Sequence, residues 1–385
     1  MPEFHSRFEK IDRRVPIDEH NCAVQFDVTK CKNCTLCRRA CADTQTVLDY
    51  YSLSSTGDMP ICVHCGQCSS ACPFGAIVEV NDVDKVKAAL KDPEKIVIFQ
   101  TAPAVRVGLG EAFGMDPGTF VEGKMVAALR TLGADYVFDT DFGADLTIME
   151  EATELLHRLQ SEEIPIPQFT SCCPAWVEFA ETFYPDLLQH LSSTKSPISI
   201  LSPVIKTYFA QQKNIDPKKI VNVCVTPCTA KKAEIRRPEL SAAGLFWDEP
   251  EIRDTDICIT TRELAQWIQD ENIDFANLED GQFDKAFGEA SGGGRIFGNS
   301  GGVMEAAIRT AYHMFTGRPA PKDFIPFEPV RGLQGVKKAT VIFGHFVLHV
   351  AAISGLGNAR AFIDDLIKND SFEDYSFIEV MACPG

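Results

Sequence analysis

CKNCTLCRRAC (residues 31–41) and CVHCGQCSSAC (residues 62–72) repeat one spacing, C-x2-C-x2-C-x3-C, and concentrate eight of the chain's fifteen cysteines in a short stretch. No disulfide framework requires that clustering. Zinc sites are usually built from two C-x2-C halves with a longer gap between them, and that pattern is absent here. Three cysteines at x2 spacing can wrap one four-iron cubane, and the fourth then points across to a partner cluster. The spacing therefore predicts two 4Fe-4S clusters. Cys31, Cys34, Cys37 and Cys72 would hold one, and Cys62, Cys65, Cys68 and Cys41 the other. Pro73 follows the second run, whereas Ala42 stands in that place after the first.

The stretch resembles a bacterial-type two-cluster ferredoxin, which implies an α+β module. The segment between the repeats, DTQTVLDYYSLSSTGDMP, is longer than in the simplest members. Such a module carries electrons and changes no bonds, so the chemistry must lie downstream. We divide the chain into an N-terminal extension (1–21), a ferredoxin-like domain (22–90) and a catalytic domain (91–385), with NDVDKVKAALKDPEK (81–95) as the join.

Past Val80, apolar runs alternate with amphipathic stretches. KIVIFQTAP (95–103), DYVFDT (135–140) and IVNVCVTP (220–227) read as strands, and so does KATVIFGHFVLHVAAISG (338–355). KMVAALRTLG (124–133) and LTIMEEATELLHRLQ (146–160) read as helices, and Thr260 to Glu263 reads as a capping box opening another. Strands separated by helices predict an α/β domain with largely parallel sheets. Gly118 to Lys124 has Walker A spacing, but Met125 replaces the magnesium-binding hydroxyl, so it reads as a turn into a helix. SGGGRIFG (291–298) fits no dinucleotide fingerprint. Its glycines point to a close backbone approach.

With 54 acidic against 37 basic side chains, the net charge is −17, and no long Lys/Arg run offers a footing for nucleic acid. No apolar stretch reaches the ~18 residues of a membrane span. The opening MPEFHSRFEKIDRR lacks an apolar secretory core, so a cytoplasmic location is expected.

Three further cysteines follow apolar runs at TSCCPAW (170–176), TPCTAKK (226–232) and EVMACPG (379–385). Carboxyl ends of strands are where α/β folds gather side chains on a ligand, so Cys173, Cys228 and Cys383 are expected to meet. Cys22, Cys224 and Cys258 read as small core hydrophobes. His64 is expected to hydrogen-bond a cluster sulfur. His345 and His349 read as structural residues on one strand.

These three loops resemble the signature loops of the iron-iron hydrogenases. TAPAVR (101–106), DTDFGADLTIMEE (139–151), IFGNSGGVMEAA (296–307) and VRGLQG (330–335) extend the resemblance from about Cys22 onward. It implies a two-lobed catalytic domain holding an H-cluster, a cubane joined to a di-iron unit with carbonyl, cyanide and a bridging dithiolate. Cys173, Cys228 and Cys383 would be cubane ligands. Lys231 would hold a cyanide, while Ala104, Phe297 and Met381 would line the site. Thr226 stands where the family usually has methionine.

The resemblance also implies a proton relay. It would begin at Cys172, whose thiol can give and take a proton without being tied to iron. Glu151, Glu154 and Arg158 lie at i, i+3 and i+7 of one predicted helix and so share a face. Ser192 would stand between the two glutamates.

The implied activity is reversible interconversion of molecular hydrogen with protons and electrons. Electrons would pass through the two cubanes to a partner, either a soluble ferredoxin or iron-sulfur subunits of a larger complex such as a hydrogen-linked formate dehydrogenase. A hydrogenase-like sensor or iron-sulfur assembly protein is the alternative. Assembly-type relatives typically lose the TSCC cysteines and the relay carboxylates, both of which are kept here. In the family the third loop continues past MACPG to a further cysteine that bridges the cubane and the di-iron unit. The sequence stops at Gly385, so the chain as written is expected to carry an empty or incomplete H-cluster and to be inactive.

Overall fold

A computed structural model describes residues 13–161, 164–330 and 334–384. Most of the N-terminal extension, part of VRGLQG and Gly385 lie outside the described residues. In the cysteine-rich module, β1 (Val24–Phe26) pairs antiparallel with β2 (Ile77–Glu79). The two cysteine runs supply the short helices Leu36–Arg39 and Gln67–Ser70.

Downstream, β3 (Ile96–Thr101), β4 (Tyr136–Asp139), β6 (Ile220–Thr226) and β7 (Ile257–Thr260) form a fully parallel sheet in the order β4-β3-β6-β7. Both faces of such a sheet are covered, so its strands are continuous apolar runs with no alternation. Phe99, Val223 and Ile259 are all fully buried. The capping box opens the helix Thr261–Asp270 as read, the Thr260 side chain accepting from Glu263 N–H while Glu263 Oε2 accepts from Thr260 N–H.

The second sheet runs β5-β11-β10-β9-β8, where β5 is Gln168–Phe169, β8 Glu328–Pro329, β9 Val336–Phe343, β10 Phe346–Ser354 and β11 Phe377–Met381. Here β5, β11 and β10 are parallel, but β9 is antiparallel to both β10 and β8. The run 338–355, read as one strand, is therefore a hairpin, turning at Gly344-His345 with Phe343 opposite Phe346. His345 sits in that turn, and exposed His349 on β10 bonds Thr340, so the two do not share a strand.

The join expected at 81–95 is a helix, Val83–Lys91, whose Val83 and Val86 are buried in one core with Val97, Phe99 and Trp267. It packs as part of the first lobe. The helix read at 146–160 starts earlier, at Thr140, with Asp139 capping it by accepting from Asp141 N–H. Gly294 explains part of SGGGRIFG, since a Cβ there would stand 2.5 Å from the Asp141 carbonyl oxygen. The long segment between the cysteine runs docks on the second lobe. Arg360 Nη2 donates to the Thr46 carbonyl, and its guanidinium stacks over Tyr50, Phe179 and Phe183.

Candidate active site

All fifteen cysteines are free. In the module, one cavity is lined by Cys31, Cys34, Cys37 and Cys72 together with Arg14, Phe26 and Phe74. The other four thiols interact among themselves. Burial pushes Cys41 up to about 11, with Cys62 adding to the rise. Burial also raises Cys65 and Cys68, reinforced by Cys62 and Cys41. The fold thus places Cys41 beside the second run and Cys72 beside the first.

His64, in the second loop, meets a cluster-loop sulfur through its backbone and not through its ring. Its Nδ1 lies 2.7 Å from Glu178 Oε2, its side chain also bonds Cys22, and its carbonyl accepts from Thr229 Oγ1 at 2.7 Å. Only its backbone N–H reaches a cluster-loop sulfur, that of Cys62. Cys22 is half-buried instead of filling the core. Burial acts to raise its thiol, but the hydrogen bond and charge of His64 leave it lowered. Cys224 and Cys258 do fill the core, facing one another across β6 and β7.

Each remaining cysteine loop leaves the carboxyl end of a strand: TSCC follows β5, TPC follows β6 and ACPG follows β11. The loops from the two lobes converge. Cys173 Sγ accepts from Ala382 N–H at 3.4 Å, joining the first and third loops. Burial raises Cys228 and Cys383, each to about 11, with Cys173 adding to the rise at Cys228 and Cys228 adding to that at Cys383. Uncompensated, buried thiolates are costly, and an iron centre supplies the positive charge that lets them ionise. Among the described residues no three Cys, His, Asp or Glu side chains close on a single ion.

Lys231 is buried beside this point. Its Nζ donates to the Cys172 carbonyl at 3.1 Å and pairs with Glu234 at 2.7 Å. Burial opposes its charge, but Glu234 and Cys228 hold it above its ordinary value. Adjacent Lys232 has a different task, bridging buried Asp82 and Glu263 and donating to the Cys258 carbonyl at 2.7 Å. Thr226 ends β6 and is buried, and Met381 ends β11. Phe297 is half-buried at the end of the short helix Gly292–Ile296. Ala104 lines a cleft with Gly298 and Asn299, where the two lobes face each other.

The five residues read as a relay lie near one another. Cys172 is fully enclosed, and burial, followed by the charge of Glu379, holds its thiol well above the ordinary value. Glu151 is also enclosed, and burial lifts its carboxyl to about 8. Gln168 Nε2 donates to Glu151 Oε2 at 2.6 Å, while Oε1 has no hydrogen-bond partner among the described residues. The Ser192 hydroxyl donates to Glu154 Oε2 at 2.9 Å and also stabilises the Glu151 carboxylate. Glu154 is partly exposed. Arg158 is buried, pairs with Glu154 at 2.7 Å and donates to the carbonyls of Pro165, Gln189 and Leu191. Sequence reading missed Glu379, whose position on an apolar strand carried no signal of its own.

Comparison with known proteins agrees with this geometry. Residues 95–385 match the model of the iron only hydrogenase large subunit, C-terminal domain, and residues 58–78 match the 4Fe-4S binding domain. The NADP-reducing hydrogenase subunit HndD of Solidesulfovibrio fructosivorans is 46% identical over 376 residues, covering 93% of this chain and 62% of that protein. Iron hydrogenase 1 of Clostridium pasteurianum is 45% identical over 386 residues, covering 97% of this chain and 65% of that protein. The chain thus spans less than two thirds of the length of these two relatives. The cytosolic iron-sulfur assembly component 3 of Bos taurus is also similar, at 30% identity, covering 84% of this chain and 69% of that protein. A solved structure of an apo FeFe-hydrogenase from Chlamydomonas reinhardtii superposes with a TM-score of 0.70 at 40% identity, covering 79% of this chain and 82% of that one. A parallel α/β frame, three converging cysteine loops and these matches carry one conclusion: the chain belongs to the iron-iron hydrogenase family.

Proposed function

We propose that this chain is the catalytic part of an iron-iron hydrogenase, interconverting molecular hydrogen with two protons and two electrons. The observation that carries this reading is the enclosed Cys172 beside Cys173, with Glu151, Ser192 and Glu154 leading from it toward the surface. Cys173, Cys228 and Cys383 would hold the H-cluster cubane, and Lys231 would offer its ammonium to a bound anion. Ala104, Phe297, Met381 and Thr226 would line the di-iron unit. When bound, the H-cluster supplies the site at which hydrogen is split or formed.

The protein's own groups then handle protons. Cys172 exchanges a proton with the reacting site, and Glu151 accepts it from the thiol. A carboxyl that titrates near 8 suits reversible transfer close to neutrality. Ser192 passes the proton to Glu154, and Glu154 exchanges it with water. Arg158 stays charged and fixes Glu154, so it is a positioning residue.

Electrons would travel through the cubanes held by Cys62, Cys65, Cys68 and Cys41 and by Cys31, Cys34, Cys37 and Cys72. The outer one opens at exposed Cys34, where a ferredoxin or an iron-sulfur subunit would dock. No described helix is long and apolar enough to cross a membrane, and we place the protein in the cytoplasm. The sensor and assembly readings are disfavoured by the retained Cys172 and relay carboxylates.

The test is to produce the full-length protein anaerobically with hydrogenase maturation factors. Metal carbonyl and cyanide infrared bands together with hydrogen uptake are the expected result. Iron-loaded protein lacking both would refute the reading.

A further inference from the structure

Glu379 is a buried carboxylate that the relay does not use. It lies on β11, four residues before Cys383, with 1% of its surface exposed. Its Oε1 accepts from Gly301 N–H at 2.8 Å and its Oε2 from Met304 N–H at 2.9 Å. Both donors belong to the first turn of the helix Gly302–Thr316. Helix starts leave such N–H groups without partners, and a side chain at the cap position usually accepts from them. Here the cap position is Gly301, at φ +86°, and it has no side chain to offer. The carboxylate is lent by the neighbouring strand, where it also meets the positive end of the helix.

This loan ties together parts of the site that are distant in sequence. The capped turn is the end of the segment carrying Phe297 and Gly298. A Cβ on Gly298 would touch Pro103 of the opposite lobe at 3.5 Å, next to Ala104. Gly302 leaves no slack, since a Cβ there would lie 1.9 Å from the Ile296 carbonyl oxygen. Ser300 adds a second fastening to the same sheet, its hydroxyl 3.0 Å from that of Ser354 on β10.

Resting on the hydrogenase reading above, we infer that Glu379 is a positioning residue for the reaction, locking segment 297–304 to the strand that delivers Cys383 and so setting how the lobes close over the di-iron unit. A cap internal to the helix would stabilise it equally well but would not register it against the cysteine loop. Because two backbone donors need two acceptor oxygens, an amide in place of the carboxylate must leave one of them unmet.

The experiment compares matured full-length wild type with Glu379→Gln. Amide hydrogen exchange at Gly301 to Met304 should quicken by at least about fivefold, the factor that follows from losing roughly 1 kcal/mol at one donor. Iron content should be unchanged, the carbonyl and cyanide bands should shift, and turnover should fall about tenfold to a hundredfold, as expected when a reacting site is misplaced by less than about 1 Å. A helix cap with no catalytic consequence would lower the melting temperature but leave bands and turnover alone, and that result overturns the inference. If Glu379→Gln fails to fold, Gly302→Ala decides, because it keeps the carboxylate yet displaces the same segment. Normal bands and turnover in Gly302→Ala would likewise overturn it. Should matured wild type itself show neither bands nor hydrogen uptake, the family-based function fails, while amide exchange still reports whether Glu379 holds the segment.

Discussion

The hydroxyl of Ser192 donates to Oε2 of Glu154 at 2.9 Å, joining a loop residue to a helix residue 38 positions earlier in the chain. Ser193 places its own N–H and hydroxyl on the same oxygen, each at 3.0 Å. Glu154 is therefore fixed by neighbours whatever happens at Ser192. Ser192→Ala should keep the fold and lose the link to Glu151. Hydrogen turnover of the matured protein should fall by at least about tenfold, with iron content and infrared bands unchanged. Turnover equal to wild type would remove Ser192 from the relay.

Glu151 provides a pH signature with a definite sign. Burial raises its carboxyl from 4.5 to about 8, so the folded protein binds a proton there that the unfolded chain has released. Stability is therefore highest below about 4.5 as far as this group is concerned, and is lost as pH rises through about 8. Glu151→Gln removes the titration and should flatten that decline in urea unfolding, being more stabilising at pH 9 than at pH 5. It should also cost about a hundredfold or more in turnover, since an amide cannot relay protons. A parallel pH profile for variant and wild type would contradict the assignment.

Cys172 and Cys173 are neighbours with separate tasks. Cys173 meets Ala382 and Cys228, whereas Cys172 is held up by burial and then by the charges of Glu379, Cys173 and Glu151. Cys172→Ser should retain the metal and slow turnover steeply, because a hydroxyl is a far weaker acid than a thiol. Cys173→Ser should lose iron from the H-cluster site. Equal iron loss in both variants would show that the two roles are not divided.

The crossed wire makes a prediction about the module. Cys41→Ala should damage the cluster of Cys62, Cys65 and Cys68 and spare that of Cys31, Cys34 and Cys37, because Cys41 keeps company with the second run. Electron paramagnetic resonance, with iron analysis, distinguishes the two clusters. Loss confined to the first run's cluster would reverse the pairing.

Lys232 should be a stability residue. It is 1% exposed and holds Asp82 and Glu263, so Lys232→Met would leave two buried carboxylates facing each other. A loss of about 3–5 kcal/mol in denaturant unfolding is expected. Asp82 precedes the helix Val83–Lys91, so the first lobe should open near that helix first.

Much of this protein is local chemistry and could be read without a structure. Cluster type follows from cysteine spacing because the ligands of one cubane come mainly from a single loop, and the capping box at Thr260 is complete within four residues. Strand ends marked by Cys173, Cys228 and Cys383 were legible for a similar reason, as apolar runs halted by turns. What required the tertiary structure is whatever depends on which distant surfaces meet. Charge and spacing do not separate Lys231 from Lys232, which the family resemblance alone distinguishes, yet a short helix turns one toward Cys172 and the other toward Asp82 and Glu263. Nor could the run 338–355 declare its own turn, since an apolar hairpin and a longer apolar strand have the same texture. In the sequence Glu379 is an isolated charge in an apolar run. Only when β11 was laid beside the start of the helix Gly302–Thr316 did its two oxygens find two unmet N–H groups, a pairing set by packing between residues 75 and 78 positions apart.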